Sequence, residues 1–82
     1  QYFKILQKKI SNKFDLIFLD PPYKDKNISE LIDKIFEINL LNKNGIIITH
    51  RNKNVKEKYS KNFRILEEKT YGISKISFGN LN

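Results

Sequence analysis

The stretch from Asp15 to Tyr23 constrains the fold of this chain more than any other segment. Its apolar run, Leu16 to Leu19, does not alternate with polar residues, which is typical of a strand buried on both faces of a parallel sheet. Asp20 follows the carboxyl end of that strand, and open α/β sheets bind ligands in the crevice outside such ends. The sequence therefore predicts an α/β fold with a functional carboxylate at the edge of its sheet.

The three residues after Asp20 give this edge a defined shape. Pro21 and Pro22 lack backbone N–H groups and fix φ, so they end the hydrogen bonding of the strand and stiffen the turn. An exocyclic amine of a nucleobase donates two hydrogens, which the Asp20 carboxylate and the Pro21 carbonyl can accept, while Tyr23 can stack on the base. The alternative is a structural turn in which Asp20 caps another group and Tyr23 packs.

Two helices are predicted from the spacing of apolar residues. The first is the end of an amphipathic helix, from Gln1 to Ile10. The second runs from about Ile28 to Leu41, with Asn27 as its N-cap and Glu30 as the reciprocal partner. Residues 42–45 (Asn-Lys-Asn-Gly) tolerate left-handed backbone and predict the turn that ends this helix.

The remaining segments predict further strands. Ile46 to Thr49 is rich in β-branched residues, and a right-handed helical crossover would make it the parallel neighbour of the first strand. Residues 54–60 predict a short helix or turn. Phe63 to Thr70 and Ile73 to Phe78 predict two strands joined by the short Tyr71-Gly72 connection. The predicted architecture is thus a pair of parallel strands followed by a terminal antiparallel hairpin.

The composition excludes several kinds of site. The chain has 82 residues, no cysteine and one histidine, which excludes disulfides and thiolate metal sites, and we expect no metal. No apolar run approaches a membrane span and no secretory signal is visible, so we expect a cytoplasmic protein without a membrane partner. We expect one partial domain over residues 1–82, a piece of a longer protein, because the chain opens inside a predicted helix.

The charge of the chain favours a polyanionic partner. Its formal net charge is +7, from 16 Lys and Arg against 9 Asp and Glu. Lys24 and Lys26 follow the Asp20–Tyr23 motif and would contact phosphate, although abundant lysine can equally serve to solvate a surface. His50 and Arg51 follow the second parallel strand and are predicted on the same edge of the sheet as Asp20.

The tetrapeptide Asp20-Pro21-Pro22-Tyr23 resembles the motif of amino-group methyltransferases that use S-adenosylmethionine. Among these families the chain resembles RsmD, which methylates the 2-amino group of a guanine in small-subunit ribosomal RNA. The resemblance rests on Phe14–Tyr23, on the similar distance to the strand at Gly45–Thr49, and on the ending Glu67–Gly72 before an apolar strand. The family often places an acid at the end of the second strand, where this chain has His50-Arg51.

The resemblance implies a fold and a set of site residues. The fold would be the C-terminal half of a Rossmann-like class I S-adenosylmethionine-dependent methyltransferase, with its four strands in the order first, second, fourth, third. The implied catalytic residues are Asp20, Pro21, Pro22 and Tyr23. The implied substrate contacts, with ribosomal RNA as partner, are Tyr23, Lys24, Lys26, His50 and Arg51.

The resemblance also implies where S-adenosylmethionine would bind. The family holds this cofactor at a glycine-rich loop after the first strand and an acid after the second. The three glycines of this chain, Gly45, Gly72 and Gly79, do not form such a loop, so we expect the cofactor site upstream of Gln1. We accordingly expect the 82 residues alone to be inactive.

Two other functions remain open at this point. A DNA adenine-N6 methyltransferase shares the tetrapeptide, although the segment after Tyr23 is too short to hold a target-recognition region. A non-catalytic RNA-binding or structural remnant is the other alternative. In the family's sheet the strand Phe14–Leu19 pairs on one side with a strand that this chain lacks, which predicts self-association through that edge or its coverage by another part of the parent protein.

Overall fold

A computed structural model describes residues 3–5, 13–20, 28–56 and 58–81 of the chain. These residues form a mixed α/β structure of five strands and one helix. The elements in chain order are β1 (Phe3–Ile5), β2 (Phe14–Leu19), α1 (Ile28–Glu37), β3 (Leu41–Asn52), β4 (Phe63–Tyr71) and β5 (Ser74–Leu81).

All five strands form one sheet in the order β1-β2-β3-β5-β4. β2 and β3 are parallel, and the other three pairs are antiparallel. The predicted parallel pair, the terminal hairpin and the order of the last four strands are therefore confirmed. The helix between β2 and β3 makes the crossover that parallel neighbours require.

The prediction of a helix from Gln1 to Ile10 is wrong at Phe3–Ile5, which form strand β1. The other residues of that predicted helix lie outside the described ranges. β1 pairs antiparallel with β2, with Phe3 opposite Leu19 and Ile5 opposite Ile17. This pairing forms backbone hydrogen bonds between the two strands. The apolar spacing of a single segment cannot predict hydrogen bonds with another segment.

Helix α1 starts at Ile28 as predicted but ends at Glu37, four residues early. The backbone N–H of Leu40 donates to the carbonyl of Ile35 at 3.1 Å, and that of Asn39 donates to Phe36 at 3.1 Å. Asn39 has a φ of 56°, so these bonds form the Schellman motif that closes many helices. The predicted N-cap, Asn27, lies outside the described residues.

The predicted turn at residues 42–45 is instead an irregular part of β3. Pairing with β2 passes from Phe14–Leu41 to Leu16–Ile46, so these four residues lie opposite Asp15 alone. The Asn42 side-chain amide donates to the Asp15 carboxylate at 2.7 Å across this bulge. Beyond it the pairing is regular and ends with Leu19 beside Thr49.

The hydrophobic core lies between α1 and one face of the sheet. Its buried residues are Ile17, Leu19, Ile28, Ile32, Ile35, Leu41, Ile47 and Phe63. The stripe of α1 that faces the sheet has the predicted helical spacing. Leu66 of β4 is 53% exposed, because β4 is the edge strand of the sheet.

The segment between β3 and β4 crosses the same side of the sheet as α1. Its described residues form turns and no helix. The hydroxyl of Ser60 and the side-chain amide of Asn62 both donate to Asp33 of α1, which fastens the segment to the helix. The Tyr59 hydroxyl lies 3.1 Å from the Thr49 hydroxyl of β3.

None of the helical segments described is long and apolar enough to span a membrane.

Candidate functional site

The carboxyl ends of β2 and β3 place Asp20 where the sequence predicts it. Leu19 is fully buried, and Asp20 directly after it has a side chain that is 51% exposed. β2 therefore fixes the backbone of Asp20 next to the core, while the carboxylate oxygens of Asp20 stay accessible. The five other candidates of this turn, Pro21, Pro22, Tyr23, Lys24 and Lys26, lie outside the described residues.

His50 of β3 lies beside Asp20 at this edge. The parallel register pairs Leu19 with Thr49, so the residues that follow each of them are also neighbours. His50 Nδ1 lies 3.2 Å from Asp20 Oδ1, and the His50 side chain is 35% exposed. The structure thus brings together two candidates that are thirty residues apart in the chain.

Ser74 of β5 is a third member of this site. Its Oγ lies 3.0 Å from His50 Nε2, so the imidazole lies between a carboxylate and a hydroxyl. Ser74 was not among the predicted site residues, because it is brought to the edge by the antiparallel register between β3 and β5. That register pairs His50 with Ile76 and Asn52 with Ser74.

Arg51 has a different environment from His50. Consecutive residues of a strand face opposite sides of the sheet, and Arg51 lies on the α1 side, where it is only 4% exposed. Its burial leaves little of this side chain for a large substrate to contact in the present structure.

The Asp20 carboxylate makes this site an acceptor of hydrogen bonds. A carboxylate has two oxygens and accepts several hydrogen bonds, so Asp20 can hold His50 and still accept from a ligand. In the part of the chain that the structure describes, no group of three or more His, Cys, Asp or Glu residues is arranged to hold a metal ion. The arrangement can therefore bind a ligand group that donates hydrogen bonds.

The three glycines of the chain lie at separate places in the fold. Gly45 lies in the β3 bulge, Gly72 in the hairpin turn and Gly79 within β5. None of these positions is a strand-to-helix loop of the kind that binds such cofactors in Rossmann-like folds. In the part of the chain that the structure describes, the glycines therefore do not form a glycine-rich cofactor loop.

A separate surface cleft lies between α1 and the segment that leads to β4. It has a volume of about 810 Å³, and its lining includes Asp33, Tyr59, Lys56, Lys58 and Lys61 but neither Asp20 nor His50. The three lysines add positive charge to this surface. The Asp33 carboxylate in this cleft accepts hydrogen bonds from Ser60 and Asn62, so it holds the segment before β4 against α1.

Comparison with known proteins identifies the family. A family model described as conserved hypothetical protein 95 matches residues 1–80. The chain belongs to this family. A curated protein similar to it is an uncharacterized methylase of Rickettsia prowazekii (strain Madrid E), which is 35% identical over 68 residues. That match covers 82% of this chain and 29% of the Rickettsia protein.

Two solved structures are similar to the chain in both fold and sequence. A conserved hypothetical protein from Streptococcus pyogenes has a TM-score of 0.74 and 36% identity, over 87% of this chain and 46% of that one. A candidate methylase from Haemophilus influenzae has a TM-score of 0.66 and 34% identity, over 92% and 48% respectively. The chain thus spans less than a third of the curated relative and about half of each solved structure.

Proposed function

We propose that this chain forms the amine-binding part of an S-adenosylmethionine-dependent methyltransferase with a Rossmann-like sheet. The proposed substrate is the exocyclic 2-amino group of a guanine in small-subunit ribosomal RNA. The observation that carries the proposal is the exposed Asp20 carboxylate directly after the buried Leu19 of β2 and directly before Pro21, Pro22 and Tyr23 in the sequence. Two similar proteins described as methylases, one of them as a candidate, support the same reaction class.

The proposed reaction requires the protein mainly to orient an amine. S-adenosylmethionine, when bound, supplies the electrophilic methyl group. Asp20 and the Pro21 carbonyl would accept the two amine hydrogens, which aims the nitrogen lone pair and stabilises positive charge as it develops on the nitrogen. Such positioning contributes up to roughly 7–11 kcal/mol in well-oriented reactions. The amine loses its proton only after the methyl transfer. Asp20 therefore has to accept hydrogen bonds from the amine and need not act as a strong base.

The RNA part of the proposal rests on charge and on the aromatic residue of the motif. A net charge of +7 favours a polyanion. Tyr23 would stack on the target base, His50 borders the site, and Lys24 and Lys26 would contact nearby phosphates. Phosphate contacts release counterions, so the affinity for RNA is expected to fall as salt concentration rises.

The test uses the full-length protein that carries this chain. Ribosomal RNA from cells that lack the corresponding gene is incubated with the protein and labelled S-adenosylmethionine, then digested to nucleosides and separated. We expect the label in N2-methylguanosine, and RNA binding that weakens between low and high salt. In a parallel incubation with DNA, label in N6-methyldeoxyadenosine would instead support the DNA adenine enzyme. A protein that binds RNA but transfers no label would support the non-catalytic alternative.

A further inference from the structure

The imidazole of His50 links Asp20 to Ser74 across three strands of the sheet. Its Nδ1 lies 3.2 Å from Asp20 Oδ1, and its Nε2 lies 3.0 Å from Ser74 Oγ. Both ring nitrogens thus have a partner on the protein. Such an arrangement fixes the orientation of an imidazole ring, which otherwise rotates about two side-chain torsions.

The chemistry of the two partners determines where the hydrogens lie. An ionised carboxylate can only accept a hydrogen bond, so Nδ1 carries the hydrogen that faces Asp20. In the neutral ring Nε2 is then an acceptor, and the Ser74 hydroxyl donates to it. In the protonated ring both nitrogens donate and Ser74 accepts, so the contact with Asp20 is retained in either state.

From this geometry we propose that His50 and Ser74 are positioning residues for the Asp20 carboxylate. The inference rests on the proposed function, because it assigns them the task of aiming Asp20 at the substrate amine. The strand backbone fixes the Cα of Asp20, but its exposed side chain needs a second contact to select one rotamer. Donation from Nδ1 to Oδ1 supplies that contact, and the carboxylate keeps capacity to accept from the amine.

The position of His50 supports a positioning role and not a direct reaction with the substrate. Both ring nitrogens are already engaged, one with the carboxylate and one with the hydroxyl. Ser74 in turn belongs to β5, whose backbone pairs with β3 on one side and with β4 on the other. The carboxylate is therefore connected through two side chains to the interior of the sheet.

Side-chain amides provide matched variants for this proposal. The amide nitrogen of Asn can take approximately the place of Nδ1, and that of Gln approximately the place of Nε2. In the full-length enzyme we expect His50→Gln and His50→Leu to lower kcat by roughly 10- to 100-fold, the scale of a misplaced reacting group. His50→Asn should lose much less kcat than these two variants, because its amide nitrogen can donate to Asp20. The affinity for S-adenosylmethionine should be unchanged in all three.

A spectroscopic measurement tests the contact without any methyl transfer. His50 is the only histidine of these 82 residues, and comparison with His50→Gln identifies its signals in a longer protein. Nitrogen NMR of the imidazole should show hydrogen on Nδ1 in the neutral ring. Asp20→Ala should shift the tautomer towards Nε2–H, and Ser74→Ala should reduce the preference for Nδ1–H.

The two measurements separate failure of this inference from failure of the proposed function. A neutral His50 with hydrogen on Nε2 would overturn the inference, whatever the enzyme does. Equal kcat in His50→Asn and His50→Gln would also overturn it, because only one of them can donate to Asp20. The expected tautomer in a protein that methylates no amine would refute the proposed function and leave the Asp20–His50–Ser74 contact established.

Discussion

The ring of Phe63 lies directly against the backbone of Gly79. A Cβ placed on Gly79 would lie 2.5 Å from Cζ of Phe63 and 2.6 Å from the carbonyl oxygen of Arg64. Phe63 is a core residue at the start of β4, and it also packs on Tyr59 with ring centroids 5.2 Å apart. The absence of a side chain at position 79 is thus what lets β4 and its aromatic anchor pack onto the sheet.

We therefore expect Gly79→Ala to lower the free energy of unfolding by about 1–3 kcal/mol, the usual cost of overpacking a core. Urea denaturation of the purified chain measures this change. Asn80→Ala is the matched control, because it places the same residue at the next position, which is only half-buried, and removes only the exposed 3.3 Å hydrogen bond from Arg64 Nε, so it should cost less than about 1 kcal/mol. Equal stability of the Gly79→Ala variant and the native chain would show that Phe63 moves aside freely.

The end of α1 provides a second prediction about stability. Asn39 holds a φ of 56° in the motif that closes the helix. A left-handed conformation costs an ordinary L-residue roughly 1–2 kcal/mol, whereas Asn and Gly tolerate it. Asn39→Ala should therefore lower the free energy of unfolding by about 1 kcal/mol, and Asn39→Gly should leave it nearly unchanged. If both variants lose the same stability, the cost comes from the Asn side chain and not from its backbone conformation.

The pairing of β1 with β2 leads to a prediction about association. β1 occupies the edge of β2 along Ile17–Leu19, part of the edge through which the sequence predicts self-association. Removing residues 1–5 would expose backbone donors and acceptors beside an apolar strand, which invites pairing with another chain. Light scattering should show the shortened chain forming dimers or larger species at concentrations where the 82-residue chain associates less. A shortened chain that remains monomeric would show that another part of the protein protects this edge.

Helices and strands that depend on a local pattern of apolar residues could be predicted from the sequence. The apolar run of β2, the helical stripe that starts at Ile28 and the β-branched run in β3 each predict their own structure, and chain topology then predicts the parallel pair. The end of α1 was misplaced because residues 42–45 and Asn39 both tolerate left-handed backbone. Only the hydrogen bonds of Leu40 and Asn39 show which of them ends the helix.

The features that the sequence could not predict depend on pairing between distant segments. Phe3–Ile5 fit a helical stripe equally well, and their pairing with β2 decides in favour of a strand. Ser74 reaches His50 only through the register of β5 on β3. The burial of Arg51, in contrast, could have been predicted, since adjacent residues of one strand face opposite sides of the sheet.

In the proposed function, Asp20 orients a substrate amine for methylation. Replacing Asp20 by Asn in the full-length protein keeps the size of the side chain but exchanges a charged acceptor for a neutral amide. We expect kcat for methyl transfer to fall by roughly 10²- to 10³-fold, the scale for loss of one preorganised electrostatic contact. The affinity for S-adenosylmethionine should change little, because Asp20 is assigned to the amine.

Glu67→Gln provides the matched control for this measurement. Glu67 lies exposed on β4, where it pairs only with Lys69 of the same strand among the ion pairs of the described residues. The control makes the same carboxylate-to-amide exchange away from Asp20 and should transfer methyl groups at the native rate. The decisive comparison is the rate of labelled methyl transfer to ribosomal RNA by the native protein, Asp20→Asn and Glu67→Gln. A large loss in Asp20→Asn alone is the predicted result, and a native rate in Asp20→Asn would contradict the assignment of the site.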